Sequence, residues 1–362
     1  HARELPDYTP VLLGLAMGAY GLTQALLQIP FGRWSDRFGR KPVIAVGLAL
    51  FAAGSLIGAL AQTVAMLAVA RCVQGAGAVS AAVSALLADL TRPEVRTRAM
   101  AVIGASIGLS FVLALVLAPV LDAAIGVPGI FTLMLVMALG GLALLGFAVP
   151  AEPPRTGGNE SRSLAGLLEL ARRPALMPLY AGVFALHFIM TATFLSVPQA
   201  LVTDVGIASA GHWKVYLGVF VASLAGTIPL ILATERTGRG PELFVLAILA
   251  VAAAQALLGL DHGHLWVVLA GLTLFFAGFN YLEARLPAQL TLAAPGHERG
   301  AALGIFATAQ FLGAFLGGAL GGVLLGRFGL AGVFWGSAAV ALGWAAVAAG
   351  TRRAAANRHE HG

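Results

Sequence analysis

The stretch Gly32-Arg33-Trp34-Ser35-Asp36-Arg37-Phe38-Gly39-Arg40-Lys41 separates two long apolar runs in a chain of 362 residues, of which only 10% are charged. Each flanking run has about 18 residues or more, enough for a helix that rises about 1.5 Å per residue to cross a hydrocarbon core about 30 Å thick. A hydrophobic fraction of 59% leaves room for many such runs. The charged stretch therefore predicts a loop at a membrane surface between two transmembrane helices.

The apolar runs together predict about eleven transmembrane helices and an all-α integral membrane protein. The predicted spans lie near residues 9–31, 43–61, 64–88, 99–120, 129–149, 175–197, 214–234, 241–258, 264–290, 300–325 and 331–350. Because the chain starts at His1 in a short polar stretch, we expect a further helix before it, which would complete two pseudo-symmetric bundles of about six helices each.

The predicted domains follow from the longest polar interruption, which contains the Pro-rich and Gly-rich residues 152–159. Residues 1–149 form the first bundle, 150–173 a linker, 174–351 the second bundle and 352–362 a tail. Within the linker, one helical face would carry Leu164, Leu167, Leu168 and Ala171. This pattern fits either a short amphipathic helix on the membrane surface or an ordinary ordered linker.

The distribution of basic residues predicts the orientation in the membrane. Most of the 22 Lys and Arg residues fall on one side of the predicted topology, and the other side has only Arg3, Lys214 and Arg327. By the positive-inside rule the basic side is cytoplasmic, so the linker and the tail are expected in the cytoplasm. The net charge of +6 is thus a topology signal and an attraction for membrane lipids, and it does not indicate nucleic-acid binding.

The spacing Gly32-x-x-x-Asp36-Arg37-x-Gly39-Arg40-Lys41 resembles the loop between the second and third transmembrane helices of the major facilitator superfamily. The segments 211–217 and 279–284 resemble the YajR-type branch of drug and proton antiporters in that superfamily. The resemblance implies the major facilitator fold and a secondary transporter that works by alternating access. One antiporter signature is incomplete, because Gly108 is followed by Leu109 and not by proline.

The charged stretch is the predicted conformational switch. Gly32 and Gly39 would allow tight turns, and Asp36 sits among cations. The resemblance implies that Asp36 acts as a latch on the positive N-terminal end of a helix in the second half, here the helix that starts near Arg299. The switch is completed by Arg37, Arg40 and Lys41.

Three residues are candidates for proton coupling. Arg71 lies in Arg71-Cys72-Val73-Gln74-Gly75-Ala76-Gly77, which resembles the family's second motif and implies a coupling role; the alternative is a structural arginine. Because a charge at bilayer depth costs about 2.5–3.5 kcal/mol, Arg71 should face protein or water. His187 lies in mid-membrane and is the side chain that ordinarily titrates near neutral pH, or it is a packing residue. Glu283 carries a proton or forms a salt bridge.

Polar side chains at helical spacing are candidates for the substrate cavity. Tyr20, Gln24 and Gln28 lie one turn apart along one face of the first predicted helix, where they line the cavity or bond neighbouring helices. The other candidates for the cavity are Gln74, Asn280 and Gln310.

These observations predict proton-coupled export of small lipophilic or cationic compounds across a bacterial inner membrane. The proton gradient would be the energy source, with no cofactor and no bound metal, and the partners would be substrate, protons and lipids around a monomer. The alternatives are a proton-linked importer or a facilitator of sugars or other metabolites, and a non-transporting membrane receptor. An enzyme is disfavoured because the spans carry no metal-ligand cluster, phosphate loop or nucleophile-base constellation.

Overall fold

The computed structural model describes residues 5–150, 164–295 and 298–360, and within these ranges it is all helical. The helices are α1 (Pro10–Phe38), α2 (Arg40–Ala59), α3 (Val64–Ala76), α4 (Ser80–Leu90), α5 (Pro93–Phe147), α6 (Leu164–Ala171), α7 (Met177–Thr203), α8 (His212–Thr237), α9 (Gly240–Leu260), α10 (Leu265–Ala293) and α11 (Arg299–Glu360). Nine helical stretches in this part of the chain are long and apolar enough to cross a membrane, with α3 and most of α4 taken as one.

Two of the long helices, α5 and α11, turn back on themselves at a glycine. Gly126 has a φ of 66° and Gly329 a φ of 67°, and neither residue is helical. A Cβ atom on Gly336 would lie 2.7 Å from the side chain of Leu324, although these residues would be about 18 Å apart in a straight helix. With the arms of α5 and α11 counted separately, the described segments match the predicted spans and confirm the all-α membrane fold.

The loop in the charged stretch is shorter than the sequence predicts. α1 continues through Phe38, and the chain breaks only at Gly39, which has a φ of 104°. The expectation of a tight turn at Gly32 is wrong, since Gly32 lies inside α1 and a Cβ atom there would meet nothing within 4 Å. The charged residues stay helical because long side chains can extend to the membrane surface and because Arg37 in the last turn suits the helix dipole.

The first and last long helices pack closely along the half of α1 that is remote from Gly39. A Cβ atom on Gly18 would lie 2.6 Å from the carbonyl oxygen of Phe315, and one on Gly21 would lie 2.6 Å from that of Phe311. Only glycine permits such an approach of the two backbones. We call the membrane side at which Gly39 lies the basic side, because Arg33, Arg37, Arg40 and Lys41 cluster there.

The buried clusters divide along the chain. The largest cluster draws its buried residues from positions 170–345, and three smaller clusters draw theirs from positions 16–145. Within the predicted linker, Leu164–Ala171 form the helix α6, and its position on the membrane surface stays a prediction. Residues 151–163 of the linker and 361–362 of the tail lie outside the described residues, and the domain boundaries stay predictions.

Candidate functional site

Arg40 joins three helices at the basic side. Its guanidinium forms an ion pair with Asp36 of α1, donates to the hydroxyl of Ser35 at 2.8 Å and lies 3.3 Å from the carboxylate of Asp89 in α4. The neighbouring Lys41 donates to the carbonyl oxygen of Val149 at 2.9 Å, which ties the start of α2 to the end of α5. The sequence indicates the first pair by its spacing of one helical turn, but it gives no sign of Asp89.

The structure gives Asp36 a partner across the break at Gly39, Arg40 of α2. The predicted latch between Asp36 and the start of α11 stays a prediction. The other predicted cation, Arg37, has its guanidinium carbon 5.3 Å from the centre of the Phe38 ring. The switch residues therefore lie together at the basic end of α1, with Arg40 at the centre of their ionic contacts.

Arg71 of α3 is held by uncharged groups within the described part of the chain. Its guanidinium donates to the side-chain oxygen of Gln74 at 2.8 Å and lies 4.7 Å above the centre of the Tyr20 ring. Gln74 is fully buried and in turn donates to Ser55 at 2.8 Å. Arg71 and Gln74, three residues apart on α3, are thus joined by a direct hydrogen bond, and the Tyr20 ring supplies a cation–π contact.

The predicted ladder on α1 makes contacts of two kinds. Gln24 donates to the hydroxyl of Tyr20 at 2.9 Å, one turn away on the same helix. Gln28 donates to Ser80 of α4 at 2.9 Å. Both glutamines are buried, and the contact of Gln28 is the helix-bonding role that the sequence leaves open. A role of this ladder in lining a cavity stays a prediction.

His187, Glu283 and Gln310 meet although they come from three helices, α7, α10 and α11. The Nδ1 atom of His187 lies 3.1 Å from the carbonyl oxygen of Val183, an acceptor, so we assign the ring hydrogen to Nδ1. Nε2 is then an acceptor, and the side-chain nitrogen of Gln310 donates to it at 2.8 Å. The Oε2 atom of Glu283 lies 3.8 Å from the same Nε2.

The Glu283 oxygen in this cluster is poised to receive a hydrogen bond. Oε2 of Glu283 is buried and has no hydrogen-bond partner in the part of the chain that the structure describes. A proton added to Nε2 of His187 would turn that atom into a donor and give Glu283 an opposite charge. Gln310 would then present its oxygen in place of its nitrogen. One proton therefore changes the contacts among three helices.

The remaining cavity candidate, Asn280, lies one turn before Glu283 on α10 and has its side-chain nitrogen 3.4 Å from the hydroxyl of Ser223 in α8. Across the two halves, the Tyr20 ring lies 6.3 Å from the ring of Phe311, the residue after Gln310. The contacts of Arg71 and those of His187 are thus linked by the packing of α1 on α11.

No group of three or more metal-binding side chains occurs among the residues that were described.

The end of α3 remote from the basic side is capped by Asp7. The Asp7 carboxylate accepts hydrogen bonds from the backbone nitrogens of Val64 at 2.7 Å and Ala65 at 2.9 Å. Hydrogen bonding from Ala65, supported by that from Val64, lowers the pKa of Asp7. An ionised Asp7 therefore fixes the start of the helix that carries Arg71.

Comparison with known proteins defines the class. The sequence pattern of the Major Facilitator Superfamily matches residues 6–282 and 213–361. The chain belongs to this superfamily, whose members are membrane transporters and not enzymes. Among individual proteins, it is 40% identical over 342 residues to the inner membrane transport protein YajR of Escherichia coli K12. The match covers 94% of this chain and 75% of YajR. An uncharacterized transporter of Buchnera aphidicola is 31% identical over 306 residues, or 84% of this chain and 78% of that protein.

Solved structures show the same fold at lower identity. The human organic anion transporter MFSD10 superposes with a TM-score of 0.67 at 21% identity, over 92% of this chain and 83% of that one. A bacterial homologue of the human lysosomal transporter Spinster superposes with a TM-score of 0.75 at 16% identity, over 96% and 90% of the two chains. At these identities the likeness supports the fold alone.

Proposed function

We propose that this transporter exports small lipophilic cations in exchange for protons, in a bacterial inner membrane with its basic side in the cytoplasm. The observation that carries the proposal is the cluster of His187, Glu283 and Gln310, in which a titratable ring adjoins a buried, unpartnered carboxylate oxygen. The positive-inside rule supports the orientation. Similarity to an inner membrane transport protein supports the membrane assignment.

Exchange follows if the proton and the substrate compete for one carboxylate. A proton on Nε2 of His187 gives Glu283 a positive partner at 3.8 Å. A substrate cation that approaches Glu283 repels this imidazolium, by about 4 kcal/mol for two unit charges 4 Å apart at an effective dielectric constant of 20. Proton and cation therefore occupy the site in turn, which is the requirement for antiport.

Arg71 has a supporting role in the proposal. It is a cation whose described partners are an amide and an aromatic ring, so its positive charge repels a cationic substrate. The Tyr20 ring, which contacts Arg71, also contacts the ring of Phe311 in α11, the helix that holds Gln310. A change in the contacts of Arg71 or of His187 therefore alters the packing of α1 against α11, which joins the two halves.

The energy that one proton supplies depends on the charge of the exported substrate. A proton that crosses about 150 mV releases about 3.5 kcal/mol. This free energy supports a concentration ratio of roughly a few hundredfold for a substrate whose own movement is electrically neutral overall. Exchange of one proton for one monovalent cation moves no net charge, so the proposed export draws on the pH difference, about 1.4 kcal/mol for each pH unit.

The test is a flux measurement in proteoliposomes that contain the transporter and a trapped pH-sensitive dye. Tetraphenylphosphonium that enters the vesicles should drive protons out, and Glu283→Gln should abolish this proton movement. Glu235→Gln is the matched control, because Glu235 is an exposed carboxylate at the end of α8. Substrate flux without proton movement would establish a facilitator, and movement of both in one direction would establish a proton-linked importer; either result would overturn the proposal.

A further inference from the structure

A cleft opens between the two halves at the basic side. It has a volume of about 640 Å³ and lies between the basic end of α1, the surface helix α6 and the first turns of α11. Its walls include Arg33, Trp34, Arg37, Leu168, Ile305 and Thr308. At the other end of the same helix pair, glycines hold α1 against α11, so the two helices separate toward the basic side.

The cleft carries positive charge that no described residue neutralises. Arg33 and Arg37 line it, and neither forms an ion pair or a hydrogen bond with any described residue. Two other cations at this side are paired, Arg40 with Asp36 and Arg173 with Glu298. No carboxylate lines the cleft within the described ranges. An anionic ligand would supply a counter-charge to both arginines.

Along α1, the cleft wall changes from apolar to cationic. This order matches the tail and the headgroup of a lipid that lies parallel to the membrane normal. The wall is apolar from Leu26 to Pro30 and becomes cationic from Arg33 to Arg37, a distance of about 16 Å at the helical rise. The exposed indole of Trp34 marks the level of the lipid headgroups, where tryptophan is enriched. The exposed Leu168 of α6 adds apolar surface to the facing wall.

We propose that this cleft binds one anionic phospholipid. Its phosphate pairs with Arg33 and Arg37, and one acyl chain lies along Leu26 and Leu168. Basic pockets between transmembrane helices at a membrane surface favour such headgroups by charge. Because the lipid fills the space between α1 and α11, it also holds their basic ends apart. The inference concerns binding and conformation, so it stands independently of proton coupling.

Lipid binding is tested by native mass spectrometry of the purified protein with phosphatidylglycerol and with phosphatidylcholine. The wild type should prefer phosphatidylglycerol. The double variant Arg33→Gln/Arg37→Gln should bind it about thirtyfold more weakly, since each interfacial arginine contributes roughly a factor of five. Leu168→Glu should also weaken binding, because it places a charge against the acyl chain. The control, Arg236→Gln/Arg239→Gln, removes two exposed arginines away from the cleft and should bind as the wild type does.

Two results would overturn the site. Equal binding of phosphatidylglycerol and phosphatidylcholine would remove the role of charge, as would unchanged binding in the Arg33→Gln/Arg37→Gln variant.

Competition with free glycerol phosphate distinguishes a lipid site from a site for phosphate alone. The proposal expects no displacement at concentrations at which phosphatidylglycerol exchanges; full displacement would show a phosphate site without an acyl chain.

The conformational part is tested by distances between spin labels at Phe38 and Leu303 in a Cys72→Ser background. Both labelled positions are exposed, and they lie on α1 and α11 beside the cleft. Phosphatidylglycerol should increase the population at the longer distance in the wild type and in the Arg236→Gln/Arg239→Gln control. It should not do so in Arg33→Gln/Arg37→Gln. Lipid that binds without this shift would contradict the role of the lipid as a wedge.

Discussion

At the scale of single residues, charge in this transporter is concentrated in a few contacts. Arg40 is shared between two carboxylates, and Arg71 is held by neutral groups. His187 accepts a hydrogen bond from Gln310, while the Oε2 atom of Glu283 lies 3.8 Å away with no hydrogen-bond partner in the described chain. Each site therefore changes its contacts when one charge is added or removed.

Asp36→Asn should slow transport without unfolding the protein. The carboxylate of Asp36 is partly exposed, and exposed ion pairs contribute about 0–1 kcal/mol to stability. Its loss removes one of the two acidic partners of Arg40 and should lower the turnover rate severalfold. Transport assays and thermal melting in detergent check this, with Glu169→Gln of α6 as a control at an exposed carboxylate on the same side. Unchanged turnover in Asp36→Asn would contradict a switch role.

Asp7 should give the protein a component of stability that depends on pH. Hydrogen bonds from α3 lower the pKa of Asp7 in the folded state, so this component is present above the ordinary aspartate pKa of about 3.9. It is lost as the pH falls through the lower pKa of the folded state. Melting temperatures between neutral pH and about pH 3 should therefore fall less steeply in Asp7→Asn than in the wild type. Parallel curves would contradict this cap.

At the scale of helices, glycine has different roles at the two ends of the charged stretch. Gly39 has a positive φ and forms the break between α1 and α2, whereas Gly32 is an ordinary helical residue with open space beside it. The spacing of the stretch does not distinguish these roles. Only the backbone conformation does.

Gly39→Ala should destabilise the protein and Gly32→Ala should not. A side chain at the φ of Gly39 costs on the order of 1–3 kcal/mol. At Gly32 alanine removes the helix penalty of glycine, about 1 kcal/mol, without a clash. Melting temperatures of the two variants in one detergent check this. A Gly32→Ala variant that melts well below Gly39→Ala would show that the turn lies elsewhere.

The ion pair of Arg173 with Glu298 should be worth more than its surface counterparts. Arg173 follows α6, Glu298 precedes α11, and the Glu298 side chain is only 3% exposed. Removal of the cation leaves a buried carboxylate with less compensation, and breaking a buried pair costs up to about 3–5 kcal/mol. Arg173→Met should therefore lower the melting temperature, and Arg173→Met/Glu298→Leu should recover part of the loss. A double variant below the single one would contradict the pairing.

At the scale of the whole molecule, the sequence predicts the fold better than the site. Apolar run length marks each span directly, including both arms of α5 and α11, because the membrane fixes how long a helix must be. The extent of the charged loop is not predictable in this way, since charged residues at a membrane surface remain helical as readily as they form a loop. His187 and Gln310, which share a hydrogen bond, are 123 residues apart in the sequence, and Arg40 and Asp89 are 49 residues apart. Only the tertiary structure reveals these contacts.

The close packing of α1 on α11 should be required for transport. Gly18→Leu places a side chain where the carbonyl oxygen of Phe315 lies 2.6 Å from the Cβ position, so the two halves must separate. Transport should fall strongly. Gly218→Leu is the control, because a Cβ atom at this exposed glycine of α8 meets nothing within 4 Å. Equal transport by the two variants would show that this contact does not hold the halves together.

The central claim is that substrate and proton compete at His187 and Glu283, and it is tested most directly by proton release on substrate binding. Tetraphenylphosphonium is added to the purified transporter in weakly buffered detergent solution, at the pH at which transport is fastest. The wild type should release protons when the cation binds, up to one for each cation, because the two positive charges repel each other. Glu283→Gln should release none. Binding to the wild type without proton release, or undiminished release in Glu283→Gln, would contradict the claim.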